Sequence, residues 1–561
     1  MSRTHEVFNQ SEPLIGHDLF EGNLGLRDGL RLLAPQLELA PLQALGKQLG
    51  QADMQTHARL ANSHRPLLHT HSPQGQRIDQ VEFHPSYHTL MSAAVAAGLH
   101  GSPWLDSGAG AHLRRAAGFM MFTELEPSVL CPISMSYAVL PALAGNAAIY
   151  SACAGKLASR VYQPELKPWP IKAGLTMGMG MTEKQGGSDV RANTSYAELE
   201  GSDTWGERYR VTGHKWFFSA PMCDAFLILA QTASGLSCLF LPRVLPDGSL
   251  NHLRIQRLKD KLGNHANASS EVEFEQAQAW LVGQEGRGIA QILEMGTLTR
   301  LDCALGTSGL MRAALSLALH HTRQRLAFGK PLIEQPLMKN VLADLALESE
   351  AATVLALRLA HAIDQRANSQ AGTQAGTQAG AQEDSHEADL ARLLTPIAKF
   401  WICKRGSVFA QEAMECLGGN GYVEEGGQGL MARIYREMPL NSIWEGAGNI
   451  MALDLLRGLR QSEALACLQR ELAPARGRHG ALDRAIERLP LVLQELARPE
   501  QARRLAQELA LLMQAALLVQ SAPAAVWQAF CDSRLAGHWG QAFGTLGPQS
   551  DLDAIIARAM P

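Results

Sequence analysis

The nine cysteines are scattered, and no two lie within four residues of each other. The chain therefore has no CxxC pair, which excludes a zinc ribbon, and its odd, dispersed count does not suit a disulfide framework. Such thiols in a chain this long fit a reducing, cytoplasmic setting. A bilayer-spanning apolar run is also lacking. The best candidate, Leu505 to Trp527, is interrupted by Gln507, Glu508, Gln514 and Gln520, so it reads as an amphipathic helix and no membrane contact is expected. The first twenty residues show no apolar core followed by small residues, and hence no signal peptide. Charge of one sign is scarce too: 50 basic against 54 acidic side chains leave a formal −4, so nucleic-acid binding would need a local basic patch. Finally, no G-x-G-x-x-G stands between a strand and a helix, so a bound dinucleotide would need an architecture other than a Rossmann fold.

What is present is a long chain, 561 residues with 46% hydrophobic and 19% charged side chains, which exceeds a single hydrophobic core. Helical periodicity dominates residues 1–174. Between 175 and 287 the texture changes to short runs rich in β-branched and aromatic residues, such as RYRVTGHKWFF and AFLILAQTA, separated by turn formers. Long helical patterns return over 288–460 and read as a bundle, and a further helical unit follows over 461–561. The repeat ANSQAGTQAGTQAGAQEDSHEA has no apolar side chain larger than alanine, and residues 368–388 are expected to form a flexible loop insertion. The fold expected is mainly α with a β domain.

Three stretches carry chemistry. In Gly178 to Ala192, GMGMTEKQGGSDVRA, the glycines permit close approach of backbone to a ligand. Thr182 and Ser188 offer hydroxyls, and Met179 and Met181 a polarizable apolar face, which suits a flat heteroaromatic as well as an ordinary Gly-rich turn. In Gly213 to Pro221, GHKWFFSAP, Trp216, Phe217 and Phe218 read first as core aromatics of a strand. In Leu440 to Leu456, Glu445 stands between Trp444 and Gly446 at the start of a helical pattern. It could serve as a helix-end carboxylate. Partial desolvation beside Trp444 would instead raise its pKa toward the range of a general base.

Together these stretches resemble the acyl-CoA dehydrogenase family. Gly180 to Ala192 matches its signature G-[LIVM]-[ST]-E-x-x-G-G-[ST]-D-x-x-A at every position, ECLGGNGYVEE at 415–425 opens a second, and RQRLAFGKPL at 323–332 is similar to its R-x-x-F-G helix-end motif. VFNQ, FHPSYH, CPISMSYA, LKDKLGN and REMPLNSIWEGAGNIM, with the extra C-terminal helices, resemble its AidB-like, alkylation-response branch. The resemblance implies a helical N-terminal domain, a middle β-barrel, a C-terminal helical bundle and an added helical domain. It also implies noncovalent FAD, oxidation of an acyl-CoA and a homotetramer.

Residue by residue, it puts Met179, Gly180, Met181, Thr182, Gly187 and Ser188 along the flavin and its pyrophosphate, and Phe217, Phe218 and Ser219 over the ring and near its N5 edge. Arg325 and Phe328 would reach the FAD of a neighbouring subunit, Gly418 and Gly419 its adenosine side, and Ile443, Trp444, Gly446, Ala447 and Asn449 would flank the cofactor around the catalytic base, Glu445. Branched-chain relatives carry their base where Thr299 stands, just before Arg300. The chain departs from the family pattern at Thr297, where an Asp helps hold CoA, at Pro336, at Ala447 and in an expansion within GGQGLMA, 426–432. FAD binding is therefore expected more firmly than full acyl-CoA turnover.

His69, His71, His84 and His88 have spacings a metal could use but no evident acidic or Cys partner, so no metal is predicted. Residues 470–504 hold eight arginines against five acidic residues, which suits a solvated helical face or a phosphate-binding one. On the second reading Arg476, Arg478, Arg503 and Arg504 would contact double-stranded DNA. Two functions follow: a DNA-binding flavoprotein of the alkylation response with weak, isovaleryl-CoA-like dehydrogenase activity, or an ordinary dehydrogenase of short or branched acyl-CoA.

Overall fold

The computed structural model describes residues 4–106, 108–370, 378–424, 429–461 and 463–561. Helices α1 (Leu24–Leu33), α2 (Ala40–Leu49) and α3 (Ala52–Ser63) precede the hairpin β1 (Leu67–His71) and β2 (Arg77–Glu82), then α4 (Pro85–Ala96), α5 (Ala111–Leu125), α6 (Leu130–Leu143) and α7 (Ala147–Leu157). The middle holds β3 (Met177–Gly180), β4 (Tyr196–Asp203), β5 (Gly206–Ser219), β6 (Ala225–Thr232), β7 (Gly235–Pro242), β8 (Leu253–Leu258) and β9 (Ser269–Val282). The long α8 (Gly288–Gln324) is followed by the short strands β10 (Leu326–Ala327) and β11 (Lys330–Pro331), then α9 (Pro336–Gln370) and α10 (Gln378–Glu415). Shorter helices complete the chain: α11 (Gly419–Tyr422), α12 (Leu430–Glu437), α13 (Gly448–Gly458), α14 (Ala464–Leu472), α15 (Gly480–Leu496), α16 (Ala502–Ser521), α17 (Ala524–Phe530) and α18 (Leu552–Ala559).

These elements form two compact units. The β unit comprises Thr56–Ser107 and Glu126–Asp302; the helical unit takes the residues up to Gln55, Gly108–Leu125 and those from Cys303 onward. Four domains sharing interfaces are expected along the chain, at 1–174, 175–287, 288–460 and 461–561, and packing groups their residues into these two units. Helices α1 and α5 of the N-terminal stretch pack on α9, so the segment 1–174 is shared between units. The stretch 461–561 is built into the helical unit by buried ion pairs. Arg534 donates to Asp344 at 2.5 Å and Glu348 at 3.2 Å, and Arg358 on α9 binds Glu387 and Glu471 at 2.8 and 2.7 Å.

In the β unit, β6, β4, β5, β9 and β7 close into a barrel because β7 pairs with both β9 and β6; β3 adds parallel to β6, and β8 antiparallel to β9. The run AFLILA of β6 is buried throughout, as a strand covered on both faces requires. Helix α6 packs on β3, where Ser136 Oγ accepts from the Met177 amide at 2.9 Å and fixes the start of the strand.

Part of the 368–388 repeat is helical, which corrects the expectation of a loop. Residues 368–370 end α9 and 378–388 open α10, consistent with the good helix propensity of Ala, Gln and Glu; 371–377 lie outside the described residues. Residues 425–428, in the expanded second signature, also lie outside them. His69 does have an acidic partner, since the β1–β2 register brings Glu82 within 2.8 Å of its Nε2. His84 caps α4, and His88 bonds the Tyr162 hydroxyl at 3.0 Å. Among the described residues no group of three or more His, Cys, Asp or Glu could hold a metal, and no helix is long and apolar enough to cross a membrane.

Candidate active site

The β unit carries one set of candidate residues. Met179 and Gly180 are buried in β3, and the chain then leaves the barrel in a loop. Met181 and Thr182 are half-buried there, and Gly187 and Ser188 are exposed. Close packing determines this path. A Cβ on Gly180 would meet the Phe218 ring at 2.6 Å, and one on Gly187 the Thr182 hydroxyl at 2.4 Å.

Two residues to which the sequence reading assigned no role hold the loop. Glu183 and Lys215 on β5 are both 0% exposed and joined at 2.8 Å. The Glu183 carboxylate also accepts from the amides of Thr194 (2.7 Å) and Ser195 (3.1 Å) and from the Thr194 hydroxyl, while Lys215 donates to Leu229 O at 2.8 Å. Burial opposes the charge on Glu183, but Lys215 and these donors outweigh it and hold its pKa well below the carboxylate range. Burial moves Lys215 the other way from a free lysine, downward, against the pull of Glu183. The sequence signal was a carboxylate in a Gly-rich loop and a lysine in an aromatic strand, each of which requires a partner if buried.

β5 decides which aromatics face outward. A bulge between Lys215 and Phe218 frees the Trp216 amide from the ladder, and it donates to Thr182 O at 2.8 Å. Phe217 is 53% exposed and Ser219 half-buried, on one face of the strand; Phe218, on the other, is 0% exposed and packs on Phe226 and Phe274. The period-two alternation of the strand thus turns the Phe218 side chain into the barrel core, away from the face that Phe217 and Ser219 share. Lys259, held by Glu271 at 2.6 Å, lies 3.3 Å from the Trp216 ring centroid and 4.8 Å from that of Phe217.

The helical unit carries a second set, described by itself. Glu445 adopts φ +59° and Gly446 φ +106°, so the turn before α13 enters the left-handed region at a residue with a Cβ. Such backbone costs about 1 kcal/mol or more and persists where surrounding contacts impose it. Here Lys399, buried on α10, donates to Trp444 O at 2.8 Å and Gly446 O at 2.5 Å, thereby fixing the carbonyls on both sides of Glu445. Trp444 Nε1 donates to Asn441, whose amide donates to Thr307. Glu445, Trp444 and Gly446 are half-buried, and Ile443, Ala447 and Asn449 are exposed.

Elsewhere in this unit, Gly418 (φ +59°) and Gly419 open α11 with no atom within 4 Å of an added Cβ. Phe328 (φ +52°) and Gly329 (φ +78°) form the two-residue turn between β10 and β11, where Phe328 is 98% exposed and Arg325 donates to Asn9 O. Arg476, Arg478, Arg503 and Arg504 are all exposed; Arg504 pairs with Glu508 at 2.8 Å, and Arg503 bonds Asn449 at 2.9 Å.

These surfaces fit FAD. The exposed Phe217 ring offers stacking, Thr182, Ser188 and Ser219 offer hydroxyls, and the exposed loop has open space at Gly186, where a pyrophosphate could approach. If the loop holds FAD, Thr182→Ala with Ser188→Ala should lower flavin occupancy of the purified protein by at least about tenfold, roughly two lost hydrogen bonds. Full occupancy with unchanged thermal stability would detach the loop from the cofactor.

Residues 9–164 match the adaptive response protein AidB N-terminal domain, 178–277 the acyl-CoA dehydrogenase middle domain and 286–460 the acyl-CoA dehydrogenase C-terminal domain. A putative acyl-CoA dehydrogenase AidB of Escherichia coli K12 is 46% identical over 539 residues, 95% of each chain. The structure of Caenorhabditis elegans ACDH-11 in complex with C11-CoA is similar with a TM-score of 0.84 at 25% identity, over 97% of this chain and 95% of that one. The Bd2924 apo-form is similar with a TM-score of 0.81 at 28% identity, over 92% and 100%. With its flavin-loop signature intact and 95% of its length matched by the AidB-named relative, the chain belongs to the AidB-like branch of the acyl-CoA dehydrogenase family and is an FAD-dependent oxidoreductase of that type.

Proposed function

We propose that this protein oxidises a short or branched acyl-CoA, weakly and with isovaleryl-CoA as a suitable probe, and binds double-stranded DNA in the response to alkylation damage. The observation that carries the enzymatic half is Glu445 in its left-handed turn, clamped on both sides by Lys399. Its carboxylate takes the α-proton of the acyl thioester, and the electron pair released from the Cα–H bond forms the Cα=Cβ double bond as the β-hydrogen leaves. FAD, when bound, supplies the acceptor for that hydride. Thr299 is no competing base, because its hydroxyl is buried and donates to Gly296 O. Thr297 donates its hydroxyl to Leu293 O, in place of the Asp that holds CoA in relatives, which supports weak turnover. The C11-CoA bound by the nematode relative supports an acyl-CoA as ligand.

The exposed Phe328 turn, with Val7, Phe8 and Tyr422 also exposed in the same unit, supports a homotetramer in which Arg325 and Phe328 serve a neighbour's FAD. Nine buried cysteines, none placed in a disulfide, support a reducing cytoplasm. The DNA half rests on the arginines and on likeness to the AidB-named relative. Because the tail is integral to the helical unit, point changes test it better than truncation. Arg476→Ala with Arg478→Ala should weaken duplex binding and make the log-log salt slope shallower by about 1.8, roughly 0.9 for each phosphate no longer neutralised. An unchanged slope would make these arginines a solvated surface and favour an ordinary acyl-CoA dehydrogenase without a DNA role.

A further inference from the structure

We infer that Arg503 is a positioning residue for the catalytic turn, so that the segment after residue 461 holds the geometry of Glu445. The inference rests on the reading of Glu445 as the base. Helix α16 is buried almost without break from Leu505 to Val519, which makes its first turn a rigid mount. From there Arg503 Nη1 donates to Asn449 Oδ1 at 2.9 Å, and its guanidinium lies 5.4 Å from the Phe400 ring centroid. Asn449 is the second residue of α13, four positions after Glu445.

The turn needs such support. Ala447, at the N-cap of α13, has no side chain able to cap the helix, and the two residues before it have positive φ. Local sequence therefore does not hold the entry to α13, and the constraints come from other helices. Lys399 holds the carbonyls flanking Glu445, Gly448 sits where a Cβ would lie 2.8 Å from Lys404 and 3.4 Å from Phe400, and Arg503 covers Phe400 while fixing Asn449. Charge alone does not account for the Arg503 contact. A helix N-terminus is already positive, and Glu508, the acidic residue of α16, pairs with Arg504. Arg503 reaches instead across to a neutral amide on another helix.

Hydrogen exchange of the FAD-loaded protein, followed by mass spectrometry on the peptide covering 443–453, tests this independently of turnover. Arg503→Ala should speed exchange there by about fivefold or more, the worth of one lost hydrogen bond. Arg503→Lys should restore most of the protection, and Arg488→Ala, on the exposed side of α15, should leave it unchanged. With isovaleryl-CoA, Arg503→Ala should lower kcat more than it changes KM, with FAD retained. Exchange identical to wild type in Arg503→Ala, or equally faster in Arg488→Ala, would overturn the inference. If Glu445→Gln turned over as wild type does, the reading of the base would fail while the exchange result still decided the role of Arg503.

Discussion

Glu445→Gln should keep the fold and the bound FAD while lowering acyl-CoA oxidation by about 10²- to 10⁴-fold, the usual cost of losing a placed general base. Glutamine is nearly isosteric and can take the same φ of +59°, so the Lys399 bonds to Trp444 O and Gly446 O should persist. What is lost is the capacity to accept the α-proton. Stopped-flow reduction of the flavin by isovaleryl-CoA, alongside thermal melting, separates the two effects. Equal reduction rates in the two proteins would move the base elsewhere.

The second large effect is expected at the Glu183–Lys215 pair. Lys215→Met should destabilise the protein by about 3–5 kcal/mol, because it leaves a wholly buried carboxylate without its cation. FAD should be lost with it, since Glu183 also binds the amides of Thr194 and Ser195 that close the signature loop. Adding Glu183→Gln should recover at least half of the lost stability: the charge is removed while the amide oxygen still accepts from the backbone. Denaturant unfolding of the two single variants and the double variant measures this coupling. Simple additivity would mean that the pair does not act as a unit. Glu183 has a depressed pKa in the folded state, so its stabilisation is complete above the ordinary carboxylate pKa of about 4.3 and is lost as pH falls through its folded value. FAD retention should therefore be flat from neutral pH down to about 5.

The parts of the site that were legible in the sequence are those carried by short, contiguous motifs. Gly180 to Ala192 and the residues around Glu445 each act through local backbone, and their spacing exposes them. Residues that hold these motifs in place were not legible, because their partners are set by register and packing. Lys215 lies 32 residues from Glu183, and Lys399 lies 45 from Trp444. Phe218 shows an intermediate case. Strand alternation alone separates it from Phe217 and Ser219, but the resemblance grouped the three together. The mainly helical fold with a β middle was readable from periodicity. The incorporation of residues beyond 461 into the helical unit was not, since Arg534, Asp344 and Glu348 meet only through tertiary packing.

In the proposed reaction Glu445 takes the α-proton of the acyl thioester and FAD, when bound, accepts the β-hydride. Anaerobic titration of the FAD-loaded protein with isovaleryl-CoA, recording the visible flavin absorbance, tests it most directly. Slow bleaching to completion is expected, with release of the α-proton and formation of the α,β-unsaturated thioester, all dependent on Glu445. A fully loaded flavin that stays oxidised through the whole titration, with isovaleryl-CoA and with longer acyl-CoA thioesters alike, would contradict it.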